Sequence, residues 1–145
     1  MKDDYDGAEP SGNSVAALGL LRLAAMTDRS EFKEKAEGTV RLFADRLQRL
    51  PQAMPHMLLA LDYMLEEPKR AVVVGDLKAT ATRSLLRAAH SVYQPNKVVL
   101  NNAGPVEPFA KTLPLVNGQP AVYLCTGTSC LPPTADAEKM KALLK

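Results

Sequence analysis

Two cysteines stand in the stretch Cys125-Thr-Gly-Thr-Ser-Cys130, directly after an apolar run that reads as a strand. The plainer reading is a pair of reduced thiols in a folded loop. A reversible disulfide closing that loop is the second, since Gly127 and the small residues around it let the sulfurs approach. Zinc is the third, but a tetrahedral site wants four ligands, and only His56 and His90 remain to join the thiols, both remote in sequence. The spacing is not that of a C-x-x-C dithiol, in which helix N-terminal placement lowers one thiol's pKa. Cys125 and Cys130 are therefore redox candidates, with no metal expected.

Asp6-Gly-Ala-Glu9-Pro-Ser11-Gly-Asn13 is the other constellation. It gathers two carboxylates, a hydroxyl and an amide in one loop just before an apolar helix. Loops at helix ends carry ligand-contacting and acid–base groups in many enzymes. Carboxylates in such loops also simply cap helices and favour their positive ends, and spacing alone favours that role. Neither histidine lies beside a nucleophile motif, so each reads as a packed or surface residue. Val74-Gly75-Asp76 follows a strand and precedes a helix, but it lacks the further glycines of a dinucleotide fingerprint and any GKS or GKT phosphate loop. It reads as a structural turn, and no cofactor is called for.

These groups need a scaffold, and the pattern supplies one of mixed character. Asn13 or Ser14 is placed to cap a helix from Val15 to Met26 that is apolar on nearly every face, with Arg22 its one charge. An all-round apolar helix belongs among several neighbours, whereas this chain offers few. A second helix, capped by Asp28 or Ser30 and running to about Leu50, is amphipathic: Phe32, Ala36, Val40, Phe43, Leu47 and Leu50 recur at helical spacing. Pro55 suits the first turn of a third helix with Met57, Leu58, Leu61 and Leu65 inward. Inner helix followed by outer helix is an αα-hairpin.

After Pro68 the pattern changes. Ala71 to Gly75 and Lys97 to Asn101 read as strands either side of a helix with Leu85, Leu86, Ala89 and Val92 on one face, a βαβ unit. Asn117-Gly118 between short apolar runs signals a hairpin, weakened by Pro114 and Pro120. A last helix from about Ala135 carries Met140, Leu143 and Leu144 inward. The fold class is thus mixed α and α/β: αα-hairpin helices over 1–67, then a small βαβ-plus-hairpin unit over 68–145.

Composition agrees with a folded chain. The 46% hydrophobic and 23% charged content suits a globular protein, and the 145 residues suffice for a core. No apolar run is long enough to span a bilayer and no basic segment precedes the first apolar one, so no membrane partner is expected and the cytoplasm is the default. Residues 1–68 hold 8 basic against 12 acidic side chains, whereas 69–145 hold 10 against 4. The basic residues of the second half are scattered and stacking aromatics are sparse, so no nucleic acid is expected either.

Asp6-Gly-Ala-Glu-Pro-Ser-Gly-Asn-Ser-Val-Ala-Ala17 leading into Leu20-Leu-Arg-Leu23, together with Tyr123-Leu-Cys125 through Cys130-Leu-Pro-Pro133, resembles the C-terminal end of the YyaL-like proteins. These are also called the spermatogenesis-associated protein 20 family. The resemblance covers essentially the whole chain. It implies long proteins with an N-terminal thioredoxin-like domain and an α/α toroid similar to six-hairpin glycosidases. By that likeness the chain is a C-terminal segment whose partners are the remaining toroid and the thioredoxin-like domain. It is too short to be such an enzyme alone. The resemblance also puts Asp6, Glu9, Ser11 and Asn13 at the toroid mouth, as one edge of a pocket for a sugar-type ligand. The alternative is an interaction or redox-sensing module built on Cys125 and Cys130.

Overall fold

The computed structural model describes residues 5–127 and 129–145. Helices come first and strands after, in two compact units, Met1–Glu66 and Glu67–Lys145.

In the first unit α1 (Gly12–Thr27) packs against both α2 (Ser30–Leu42) and α4 (Pro55–Leu65). The αα-hairpin reading holds for α1 and α2, with two details changed. Ser11, not Asn13 or Ser14, is the N-cap of α1: its Oγ accepts from Ser14 N–H at 3.2 Å. Asp28 does not cap α2; it ends α1 in the left-handed conformation that a short polar side chain tolerates. The long second helix is also broken. Phe43 leaves helical geometry with φ −99° and ψ 4°, and α3 (Ala44–Arg49) restarts after it. Phe43 stays buried with Ala36, Val40 and Leu47, so the apolar stripe survives the break. A 3₁₀ turn, Pro51–Ala53, leads to α4, where Pro55 stands at the first position as its ring geometry favours. The inward face of α4 is Met57, Ala60 and Tyr63 rather than the expected leucines, and Leu65 is exposed.

Only one stripe of α1 is covered. Ala17, Leu18 and Leu21 are buried, while Val15 is 50% and Leu23 44% exposed, on a single face with Gly19 between them. Apolar side chains in line on an open helix face lack the packing that an all-round apolar sequence is built for.

The second unit is a four-stranded sheet in the order β2-β1-β3-β4. β1 (Lys69–Val74) and β2 (Lys97–Asn101) are parallel and joined through α5 (Thr80–Ser91), the βαβ unit read from the sequence. β3 (Ala121–Thr126) runs antiparallel to β1, and β4 (Ser129–Cys130) antiparallel to β3. One face, carrying Ala71, Val73, Val122 and Leu124, is covered by Leu85, Ala89 and Val92 of α5 and by Met140 and Leu144 of α7 (Ala137–Leu144). Leu143 lies outward, contrary to the sequence reading. The other face carries Arg70, Val72 and Tyr123, and the β2–β3 connection returns to it: the Tyr123 hydroxyl donates to Pro114 O at 2.9 Å. That connection includes the short α6 (Pro108–Thr112), which the sequence did not signal.

The hairpin also sits elsewhere than expected. Asn117 and Gly118 do take the paired positive φ values, 50° and 75°, of a tight hairpin turn. Only the single bridge between Val116 and Gln119 flanks them, because Pro114 and Pro120 have no N–H to extend a ladder. The working hairpin is β3–β4, around Gly127.

Candidate functional site

The loop before α1 is organised by Asp6, whose carboxylate is drawn inward by backbone donors. Oδ1 accepts from Ser11 N–H at 2.8 Å, while Oδ2 accepts from His56 N–H at 2.8 Å and Met57 N–H at 3.1 Å. His56 and Met57 open α4, where the N-cap position is Met54, a side chain with no capping oxygen. Asp6 supplies that cap from 50 residues away, with the charge sign a helix N-terminus favours. Its own N–H donates to Ala53 O at 2.9 Å, so the loop is stitched to the start of α4 twice. Burial alone would raise the Asp6 pKa, but hydrogen bonds from Ser11, Ser14, Met57 and His56 outweigh it and hold the carboxyl below its usual range. The carboxylate is thus locked in its ionised form.

The structure joins two of the four loop candidates, Asp6 and Ser11, in one hydrogen-bond network. Ser11 is buried, and its Oγ lies 2.9 Å from the Ser14 hydroxyl. Asn13 is half-buried in the first turn of α1. Glu9 stands on the exposed tip formed by residues 7–10. Of the two carboxylates, Asp6 has both oxygens engaged by the backbone, and Glu9 faces solvent. His56 takes part through its backbone, which no side-chain motif could have announced.

At the second constellation, Cys125 and Cys130 are joined by a disulfide. The reduced-thiol expectation is therefore corrected: the two residues are direct partners across β3 and β4, a register that a loop reading could not anticipate. Two sulfurs bonded to each other offer no thiolates to zinc, and among the described residues no group of three or more acidic, cysteine or histidine side chains could hold a metal ion.

Arg70 was not singled out in the sequence, yet it anchors this region. It lies opposite Cys125 on β1, and its Nη1 pairs with Glu107 Oε2 at 2.5 Å while Nη2 donates to Gly127 O in the β3–β4 turn. Both partners of the ion pair are largely buried, and the second Glu107 oxygen has no hydrogen-bond partner. A cleft of about 190 Å³ is lined by Lys69, Leu124, Cys125, Ser129, Leu131 and Leu143 among others.

Comparison with known proteins places these features in a longer context. The chain is similar to spermatogenesis-associated protein 20 of Homo sapiens, 38% identical over 99% of the chain and 19% of that protein. The Mus musculus protein of the same name is 36% identical with the same coverage. An uncharacterised Caenorhabditis elegans protein is 32% identical over 99% of the chain and 20% of its own length. The chain thus spans about a fifth of the length of the relatives it matches. No family model matches the chain, and no solved structure matches it. Among the described residues no helix is long and apolar enough to cross a membrane.

Proposed function

We propose that this chain is the C-terminal segment of a spermatogenesis-associated protein 20 homologue, completing an α/α toroid and forming one edge of a sugar-type pocket. The observation that carries the first part is the open apolar stripe of α1, Val15 to Leu23, in a chain that matches only 19% of its relatives. Apolar side chains aligned on one helix face call for a further helix against them, which the rest of a toroid would provide. The stripe also accounts for a helix whose sequence is apolar all round. A thioredoxin-like domain elsewhere in the longer protein belongs to the same reading.

Within the pocket edge this reading divides the labour. Asp6 and Ser11 hold the loop, and Glu9 and Asn13 are the groups presented to a ligand, with Glu9 as the acid–base candidate. The test is a pair of substitutions in a full-length homologue, at the residues matching Glu9 and Asp6. Sugar binding is scored by calorimetry over a panel of aldoses, N-acetylhexosamines and their disaccharides. Glu9→Gln is expected to abolish binding or turnover at unchanged thermal stability, whereas Asp6→Asn should lower stability. Sugar binding untouched by Glu9→Gln and Asn13→Ala, or no sugar bound by the parent protein, removes the pocket reading.

A second reading has its own observation. The disulfide between Cys125 and Cys130 favours a redox-sensing role for the α/β unit, independent of any sugar chemistry.

A further inference from the structure

The redox reading leaves open which sulfur reacts, and the fold makes the two unequal. Cys125 is 1% exposed on β3, an inner strand with β1 beyond it. Cys130 is half-buried on β4, a two-residue strand at the sheet edge. Exchange requires an incoming thiolate to reach one sulfur while the other leaves, so access selects the target. We propose that Cys125–Cys130 is a thiol-exchange site for a dithiol reductant, attacked at Cys130 with Cys125 as the leaving sulfur. This rests on the redox reading and not on the pocket reading.

Two further features fit that direction. Arg70 is the cross-strand partner of Cys125 and shares its sheet face, so a positive side chain is fixed beside the departing thiolate. Glu107 offsets part of that charge, while the Arg70 bond to Gly127 O keeps the guanidinium at the β3–β4 turn. Second, the bond closes a loop with a sequence separation of only 5 residues, so it constrains the unfolded chain little. Independent ties persist without it: Leu131 N–H donates to Leu124 O at 2.8 Å, and Val122 and Thr134 exchange both backbone bonds at 2.8 and 3.0 Å. The unit therefore stays folded when the bond is cut, as a reversible site requires.

The step balances. One thiolate of the reductant attacks Cys130 Sγ, the Cys125–Cys130 bond breaks, and its electron pair goes to Cys125 Sγ, which takes a proton from water. The reductant's second thiol then attacks the mixed disulfide and releases Cys130. The protein gains two electrons and two protons, and the dithiol becomes a disulfide.

The test uses the whole chain, exposed to glutathione as a single-thiol probe under native conditions, then trapped with iodoacetamide in denaturant and read by peptide mapping. The expected result is glutathione on Cys130 and the alkyl label on Cys125, with helical and sheet signals retained after full reduction by dithiothreitol. An air-oxidised chain that still carries both thiol hydrogens overturns the redox reading and this inference together. A disulfide that yields only in denaturant, or glutathione found chiefly on Cys125, overturns the inference alone.

Discussion

Replacing Asp6 should unfasten the first unit more than its place near the chain start suggests. Asp6→Ala removes the acceptor of Ser11, His56 and Met57 N–H groups, and the Ser11 and Met57 bonds are buried. A buried donor left without a partner costs roughly 1–3 kcal/mol. Two such donors, with some relief from entering water, give an expected loss of about 3 kcal/mol. In a unit of this size that lowers the midpoint by at least about 10 °C. Asp6→Asn keeps one oxygen but turns an NH₂ toward a backbone N–H, so about 2 kcal/mol is expected. The sign with pH follows from the lowered pKa. The folded state holds the ionised form, so the contribution is complete above the unfolded carboxylate range and is lost as pH falls through the lowered folded value. Urea denaturation followed by far-ultraviolet circular dichroism at a series of pH values reads this directly. The gap between parent and Asp6→Ala should be constant near neutrality and close in acid. A gap under about 1 kcal/mol, or one that widens on acidification, refutes the reasoning.

Further substitutions probe the α/β unit. Gly75 has φ 145°, and a Cβ there would stand 2.5 Å from Thr82 Oγ1 and 3.0 Å from Pro120 Cβ. Gly75→Ala should therefore cost more than about 2 kcal/mol by chemical denaturation. Thr82 is fully buried with its hydroxyl unpartnered, so Thr82→Val should stabilise by about 1 kcal/mol, seen as a raised midpoint. Glu107→Gln leaves the Arg70 charge uncompensated and should cost about 3 kcal/mol, whereas the pair Arg70→Met with Glu107→Leu should cost less than the sum of the single changes. Converting both cysteines to alanine should remove about 2 kcal/mol, the scale set by so short a loop, without unfolding the unit.

Where residues speak through local periodicity, the sequence was readable. The β-branched runs gave β1 and β2, the apolar spacing gave α5, and Pro55 marked the start of α4. What escaped was non-local. Asp6 caps a helix far along the chain, and no spacing rule joins those positions. The disulfide was one of the sequence's readings, but what selects it is β4 pairing with β3 in one register, and two residues of strand carry no period. The break at Phe43 is hidden because the apolar spacing continues through it. Leu143 and Leu65 sit at helical spacing with apolar neighbours, yet both are exposed. For the loop candidates, type and spacing located the cluster but not the roles. Burial separates Asp6 and Ser11, spent on the fold, from Glu9 at the exposed tip.

The most direct measurement is amide hydrogen exchange on α1, compared between this chain alone and the matching segment of a full-length homologue. The predicted result is weak protection of residues 12–27 in the isolated chain, rising strongly in the longer protein as the Val15–Leu23 stripe is covered. Equal protection in both would show that α1 is already complete with α2 and α4, contradicting the claim that this chain is a toroid segment awaiting its neighbours.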